Sequence, residues 1–517
     1  MEILRNFYDY QVDAFKATNQ HDKGIVVLPT GTGKTYIQAG IIANDIINNP
    51  GFRTYVVNAP RIMLSFQLLE EVFKFLTSNN IDARYMAVHS GGMDQTDLDK
   101  FRAQTDIQYS QIESSTSPSV VREFIEKARE DDLPLVFFST YNSAIRIEQA
   151  KEDLDPINII LNDEAHYLVQ ERFNLDFNKI RTNRKYFFTA TTRETPSDEG
   201  FGMNNSEFYG EIIYQMTPRE AIEKGKIVRP RVHIISEKDG GIFFKEDFDK
   251  SLGRIVANAF EQHESLLSPS QPPKILIAGR GIEDMKILIK SRNIQRLIQE
   301  GVKLYAVASD QEVKNYVNGE RVNRKEFLNR LKEDGKNPKQ KLIIIHYDIL
   351  TEGIDVPGIT GILFLRDQRK AKFIQTFGRS ARLDLEDRAK LERGEITPND
   401  LDEMNKPYAW IMIPSIIDED TDKLAHLESL IEELRDFGFN PSEDIEPRDR
   451  PESGEDEDEE DPIPEPDSVL GRVGEVIEEY EFRVEEKRVA SLTWEEKIEE
   501  QIKKGKNNSL SDINEFI

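Results

Sequence analysis

The chain has 517 residues, no cysteine, 38% hydrophobic residues and a formal net charge of −27. The missing thiols exclude disulfides, thiolate zinc sites, iron–sulfur clusters and cysteine nucleophiles. No apolar leader follows Met1 and no run reaches the ~18 residues of a membrane span, so the expectation is a cytoplasmic protein of about three units with no membrane partner.

The first predicted strand, "GIVVL" (24–28), runs into the turn "PTGTGKT" (29–35) and then into a helical stretch. In that turn, Thr30, Gly31, Thr32 and Gly33 form a loop whose glycines let backbone N–H groups approach phosphate oxygens. Lys34 is placed to reach the outer phosphates and Thr35 to offer a hydroxyl to Mg²⁺. The general pattern asks for glycine six positions before the lysine, where this chain has Leu28. Further apolar runs at 53–59, 135–140, 157–163 and 185–191 are continuous rather than alternating. Such runs suit parallel strands buried on both faces. The run "IILND" ends in Asp163–Glu164, two carboxylates at the edge where parallel sheets bind ligands. One carboxylate can hold Mg²⁺ through water while the other takes a proton from an attacking water.

After the basic stretch 219–232 the same grammar restarts, with predicted strands at 274–279, 303–309, 341–347, 361–367 and 408–414. The fold class read from this is α/β, two successive parallel sheets flanked by helices. Within the second unit, "FIQTFGRSARLD" (373–384) spaces Gln375, Arg379 and Arg382 four and then three apart, which predicts one helical face. Two arginines there suit either a solvated surface or a pair reaching across a cleft to neutralise a transferring phosphoryl group.

The charge is uneven. Residues 443–467 hold 14 acidic and 2 basic positions, while 366–382 hold 6 basic and 1 acidic. Net charge therefore does not exclude a polyanionic partner. The stretch 441–467 reads as a disordered acidic linker, and the segment after it as a charged helix. The expected organisation is 1–235, 236–425, a helix with acidic linker at 426–467, and a helical tail at 468–517.

Taken in order, "PTGTGKT", "DEAH" (163–166), "TAT" (189–191), "TEGIDVP" (351–357) and "QTFGRSAR" (375–382) resemble motifs I, II, III, V and VI of superfamily 2 helicases and translocases. The loop of that superfamily commonly lacks the first glycine. Softer matches are "FYDYQVDAF" (7–15) to the Q-motif region, "NAPRIMLSFQ" (58–67) to motif Ia, "STYNS" (139–143) to motif Ib and "ILIAGRG" (275–281) to motif IV. The resemblance covers residues 1–415 and implies two tandem RecA-like domains with ATP and Mg²⁺ between them. It implies that Gln11 reads adenine, and that Lys34, Thr35, Asp163, Glu164, Gly353, Asp355, Arg379 and Arg382 serve the nucleotide. Arg61, Ser139, Thr140, Arg280 and Thr351 match positions that hold a nucleic-acid backbone; Thr189, Thr191 and Gln375 match coupling positions.

The junction "IYQMTPREAIEKGKIVRPRV" (213–232) resembles that of restriction-enzyme motor subunits and of phage and repair helicases, which favours DNA. The leading expectation is an ATP-dependent DNA helicase or duplex translocase. The alternatives are an RNA helicase or ribonucleoprotein remodeller, and a motor subunit whose acidic linker and tail recruit a protein partner.

Overall fold

The computed structural model describes residues 2–89, 112–151, 154–196, 200–235, 248–269, 271–308, 315–346, 356–365 and 370–414. It adds short pieces at 243–244, 313, 416–418, 423–424, 431, 434–435 and 445–446. The predicted C-terminal helical tail at 468–517 lies outside these residues.

The first sheet has eight strands: β1 (Lys23–Val27), β2 (Thr54–Ala59), β3 (Arg84–Val88), β4 (Ile112–Ser114), β5 (Leu135–Thr140), β6 (Ile157–Asn162), β7 (Thr182–Thr189) and β8 (Ile212–Gln215). They lie in the order β4-β3-β5-β2-β6-β7-β1-β8 and every pairing is parallel. The continuous apolar runs have the expected cause. Along β1, Ile25 and Val27 enter the core on one side of the sheet, Val26 and Leu28 the core on the other.

The second sheet contains β9 (Arg229–Ile235), β11 (Lys274–Ala278), β12 (Lys303–Val307), β13 (Tyr316–Val317), β14 (Glu320–Arg321), β15 (Leu342–His346), β16 (Gly361–Phe364), β17 (Tyr408–Pro414) and β20 (Ile445–Glu446). Their order is β14-β13-β12-β15-β11-β16-β17-β9-β20. Only the β12–β13–β14 meander is antiparallel. Three short strands, β10 (Phe243–Phe244), β18 (Ile416–Asp418) and β19 (Lys423–Leu424), form a small separate sheet. Among the described residues, no helix is long and apolar enough to cross a membrane.

Two sequence expectations change. Strand β9, counted above with the first unit, pairs along its whole length with β17 of the second sheet. Its "VHII" face is apolar at alternate positions and packs there. The acidic stretch from 441 was read as disordered throughout, yet Ile445 is buried and pairs with Val232. One isoleucine among carboxylates supplies enough apolar surface to dock the strand, which composition averaged over the stretch conceals.

The helix after the phosphate-type loop, Lys34–Asn48, is tied down by one carboxylate. Asp45 is buried and accepts from Arg53 Nε at 2.7 Å, from Tyr55 Oη at 2.8 Å and from Arg184. It thereby joins the helix to β2 and β7. Removing one member of a buried charge cluster strands the others, so Asp45→Ala is expected to cost about 3–5 kcal/mol. Urea unfolding followed by circular dichroism measures this; a loss below about 1 kcal/mol would mean that the cluster behaves as surface ion pairs do.

Candidate functional site

The strand order sets three adjacent C-terminal edges side by side, those of β6, β7 and β1. Each leads into a predicted motif: Asp163–Glu164 after β6, Thr189–Thr191 at the end of β7, and the loop 28–33 after β1. Ligands of open parallel sheets bind at this kind of edge.

In the loop, Gly31 and Gly33 have φ of +88° and +80°, the left-handed region that favours glycine. A Cβ at Gly33 would stand 2.5 Å from Gln11 Nε2. The helix starts at Lys34, so the first-turn N–H groups and the positive helix end face the loop. Leu28 is fully buried, and its carbonyl accepts from Lys34 Nζ at 3.3 Å. The residue that departs from the general pattern thus holds the lysine through its backbone, for which the side chain is immaterial.

Lys34 Nζ also lies 3.9 Å from Glu164 Oε1. Asp163 is buried and accepts from Gln38 Nε2 at 2.8 Å. Its carboxyl is pushed upward, first by burial and then by the neighbouring Glu164 charge, with Lys34 pulling the other way. Such a carboxylate favours a cation as its next neighbour. Glu164 has φ +50°; among the described residues, the other non-glycine positive-φ positions are all Asn or Asp, which tolerate that region. A glutamate held there costs of order 1–3 kcal/mol and aims its carboxyl into the cleft. Its Oε2 is buried without a hydrogen-bond partner, as is Thr30 Oγ1.

His166 links Glu164 to the end of β7. Its Nδ1 lies 3.0 Å from Thr189 Oγ1 and 3.5 Å from Glu164 Oε2. Thr189 Oγ1 donates to the Thr191 carbonyl at 2.7 Å, so Nδ1 carries the hydrogen; burial keeps the ring neutral. Thr189 and Thr191, expected as couplers, therefore reach the carboxylate pair through the histidine of the 163–166 box.

The second sheet reaches the same edge through the helix Lys370–Ser380. A Cβ at Gly378 would stand 2.6 Å from Thr30 Cβ, and Arg382 Cγ lies 3.5 Å from where a Gly31 Cβ would be. The helix stops at Ser380, however, so Arg382 does not share a helical face with Arg379 as its spacing suggested. Its backbone instead bridges Ile227, while Val228 N donates to the Ala381 carbonyl at 2.8 Å. That extended pairing unwinds the helix one turn early. Arg379 stays in the last helical turn, half-buried. Gln375 belongs to the same helix, and its side chain lies outside the described residues, as do Thr351, Gly353 and Asp355.

Several expected contacts are placed differently. Gln11 is buried and both ends of its amide are engaged: Oε1 accepts from Tyr8 N at 3.0 Å and Nε2 donates to Thr32 O at 3.0 Å. It braces the loop through the Thr32 carbonyl. Tyr10 Oη donates to the same carbonyl at 2.7 Å. Tyr8 then continues to the second unit, where its hydroxyl donates to Glu392 and Lys226 Nζ sits 3.5 Å above its ring. Ser139 is fully buried with its hydroxyl bonded to Asn58, and Thr140 is buried with its hydroxyl on Ser143. The strand that carries them is central in the sheet, so neither side chain reaches the surface. Arg280 forks onto Asp284 at 3.0 and 2.8 Å. Arg61 is exposed at the N-cap of the helix Ile62–Ser78.

Phosphates and Mg²⁺ suit this donor set. A two-glycine loop, a lysine, the buried Asp163 carboxylate, the partly buried Glu164 carboxylate and the partnerless Thr30 hydroxyl converge on one edge, and Arg382 enters from the other unit. Among the described residues, no cluster of histidine and acidic side chains has the arrangement of a self-contained metal site.

Residues 4–194 match the family model of the type III restriction enzyme res subunit. The chain is 23% identical over 403 residues to the DNA 3'-5' translocase XPB2 of Sulfurisphaera tokodaii, covering 72% of this chain and 78% of that protein. By structure it resembles the DNA-bound ATP-dependent type ISP restriction–modification enzyme LlaBIII, with TM-score 0.60 and 18% identity over 84% of this chain. It spans 30% of that enzyme's length. It also resembles the DEAD-box helicase Mss116 bound to single-stranded RNA, with TM-score 0.50 and 15% identity, covering 84% of this chain and 78% of that one. The two parallel sheets are thus tandem RecA-like domains. The match to the res-subunit model spans both the phosphate-type loop and the carboxylate pair.

Proposed function

We propose that this protein is a superfamily 2 motor with a DEAH-type box that couples ATP hydrolysis to movement along DNA, as a helicase or a duplex translocase. One observation carries the reading: the phosphate loop of one RecA-like unit abuts the Gly378–Arg382 segment of the other. A nucleotide in that loop would therefore be touched from both sides, and its hydrolysis would change how the units meet.

Lys34 and the N–H groups of Gly31–Thr35 hold the phosphates. Thr35 and Asp163 would hold Mg²⁺, which neutralises charge on the phosphate oxygens. Glu164, aimed by its backbone and steadied by His166, accepts the proton of the attacking water. Arg379 and Arg382 place positive charge against the transferring group, and Gly353 and Asp355 would serve the nucleotide as the superfamily resemblance implies. Thr189, Thr191 and Gln375 carry the change toward the nucleic-acid face, where Arg61, Arg280 and Thr351 meet the backbone. Arg280 would exchange Asp284 for phosphate, and Thr140 would need its turn to open. DNA is favoured over RNA by the restriction-enzyme family match and by a relative that is a DNA translocase.

A second reading, a motor subunit of a restriction-type assembly, is favoured by the match of residues 4–194 to the type III restriction enzyme res subunit model. There the acidic 441–467 stretch and the segment beyond it would meet a protein partner.

The test is the steady-state ATPase rate with no ligand, single-stranded DNA, duplex DNA, forked DNA and single-stranded RNA, with Glu164→Gln as the blank. Stimulation by DNA forms alone is expected; stimulation by RNA alone would reverse the substrate assignment. Lys34→Ala should abolish turnover, and an unchanged rate would sink the phosphate-loop assignment. Arg382→Ala should keep nucleotide affinity while hydrolysis falls by ~10³–10⁵. Gly378→Ala adds a methyl where 2.6 Å is available, so it should hold the units apart. Nucleotide binding to the first unit should survive while DNA-stimulated kcat falls; an undiminished kcat would show that hydrolysis does not need this contact.

A further inference from the structure

The backbone around Arg382 is clamped by a buried ammonium. Lys406 is only 4% exposed, and its Nζ donates to the Ser380 carbonyl at 2.6 Å and to the Arg382 carbonyl at 2.7 Å. The carbonyl between them, Ala381, takes Val228 N at 2.8 Å. Three consecutive acceptors leaving the helix Lys370–Ser380 are thus satisfied from two directions. A cation suits the negative end of a helix, where carbonyls lack intrahelical donors.

Lys406 is itself held in register. Its backbone N–H donates to Asp387 at 2.8 Å, as does Asn405 N at 2.7 Å. Asp387 opens the helix Leu385–Glu392, which Asp384 caps. Burial drags the Lys406 amine down to about 7; the Asp384 charge opposes this, Arg382 adds to it and Asp387 opposes it. Among the described residues, no carboxylate forms an ion pair with Lys406. An amine kept in such a place is costly to stability, and an apolar residue would fill the volume more cheaply. What the amine supplies is geometry: it pins the peptide that carries Arg382, whose side chain lies against Gly31.

We propose that Lys406 is a positioning residue for hydrolysis, holding the Arg382 backbone so that its guanidinium meets the nucleotide as the two units close. This rests on the role given above to Arg382. The test is a double-mutant cycle in the full-length protein, read by single-turnover ATP hydrolysis, nucleotide affinity and melting temperature. Lys406→Met should slow hydrolysis by about 10²-fold, the cost of misplacing a reacting group by ~1 Å, with nucleotide affinity unchanged. On the Arg382→Ala background the same substitution should add nothing. Lys406→Gln, which keeps two N–H donors, should restore part of the rate; it replaces Lys406→Met in the cycle if that variant does not fold. Equal losses on both backgrounds would mean a general structural role and overturn the proposal. So would an unaltered rate in Lys406→Met while Arg382→Ala is slow. If Arg382→Ala itself hydrolyses normally, the Arg382 assignment fails, and this one with it.

Discussion

The geometry of the cleft depends on the absence of a side chain at Gly378. Thr30, the first threonine of the phosphate loop, lies so close to that helix that one added methyl would stand 2.6 Å from its Cβ. Real Cβ atoms do not approach that closely, so glycine there sets how far the two sheets can close on each other. Packed interiors do not yield continuously, and a contact of this kind favours discrete touching and parted arrangements over a soft spring. Such a pair of arrangements is what a cycle of binding and hydrolysis can bias.

The charges within the cleft are balanced in pairs that a nucleotide would rearrange. Burial raises the Asp163 carboxyl, the neighbouring Glu164 charge raises it further, and Lys34 relieves this only in part. Lys34 leans on the Leu28 carbonyl and on Glu164. Phosphate would draw the lysine away, and a divalent cation would then compensate the carboxylates it leaves behind. Binding of the two would therefore be mutually supportive on electrostatic grounds. The neutral His166 adds no charge to this balance. It transmits position, since its ring is fixed by Thr189 at one end of a strand that pairs directly with β1.

A second thread leaves the phosphate loop on the opposite side. Thr32 O receives both Gln11 and Tyr10, Gln11 receives Tyr8, and Tyr8 reaches Glu392 and Lys226 in the second unit and the junction. The loop is thus connected to the second unit both through Arg382 and through this aromatic corner. The junction contributes to each, by Lys226 at one and by Ile227 and Val228 at the other. Three adjacent residues of the connecting segment so report the relative placement of the units to both sides of the loop.

What the sequence determined by itself was everything carried by local pattern. Continuous apolar runs named ten of the strands, because a strand buried on both faces has no polar side to interrupt it. The phosphate loop was legible because its glycines answer a local need, φ near +80° to +90° within six residues. Asp163–Glu164 was legible because it ends such a run. The tertiary structure alone decided the pairings between distant segments. Spacing placed Arg382 on the helix of Arg379, but a bridge to Ile227, 155 positions away, ended that helix first. The resemblance assigns Gln11 to adenine, and only the fold shows its amide against the Thr32 carbonyl. Ser139 and Thr140 match backbone-holding positions by resemblance, and only the fold shows that the central place of their strand buries them. Lys406 gave no sequence signal, and His166 only its place in the 163–166 box, because the chemistry of each lies in which carbonyls and hydroxyls from remote strands surround it, and that is a property of the folded chain only.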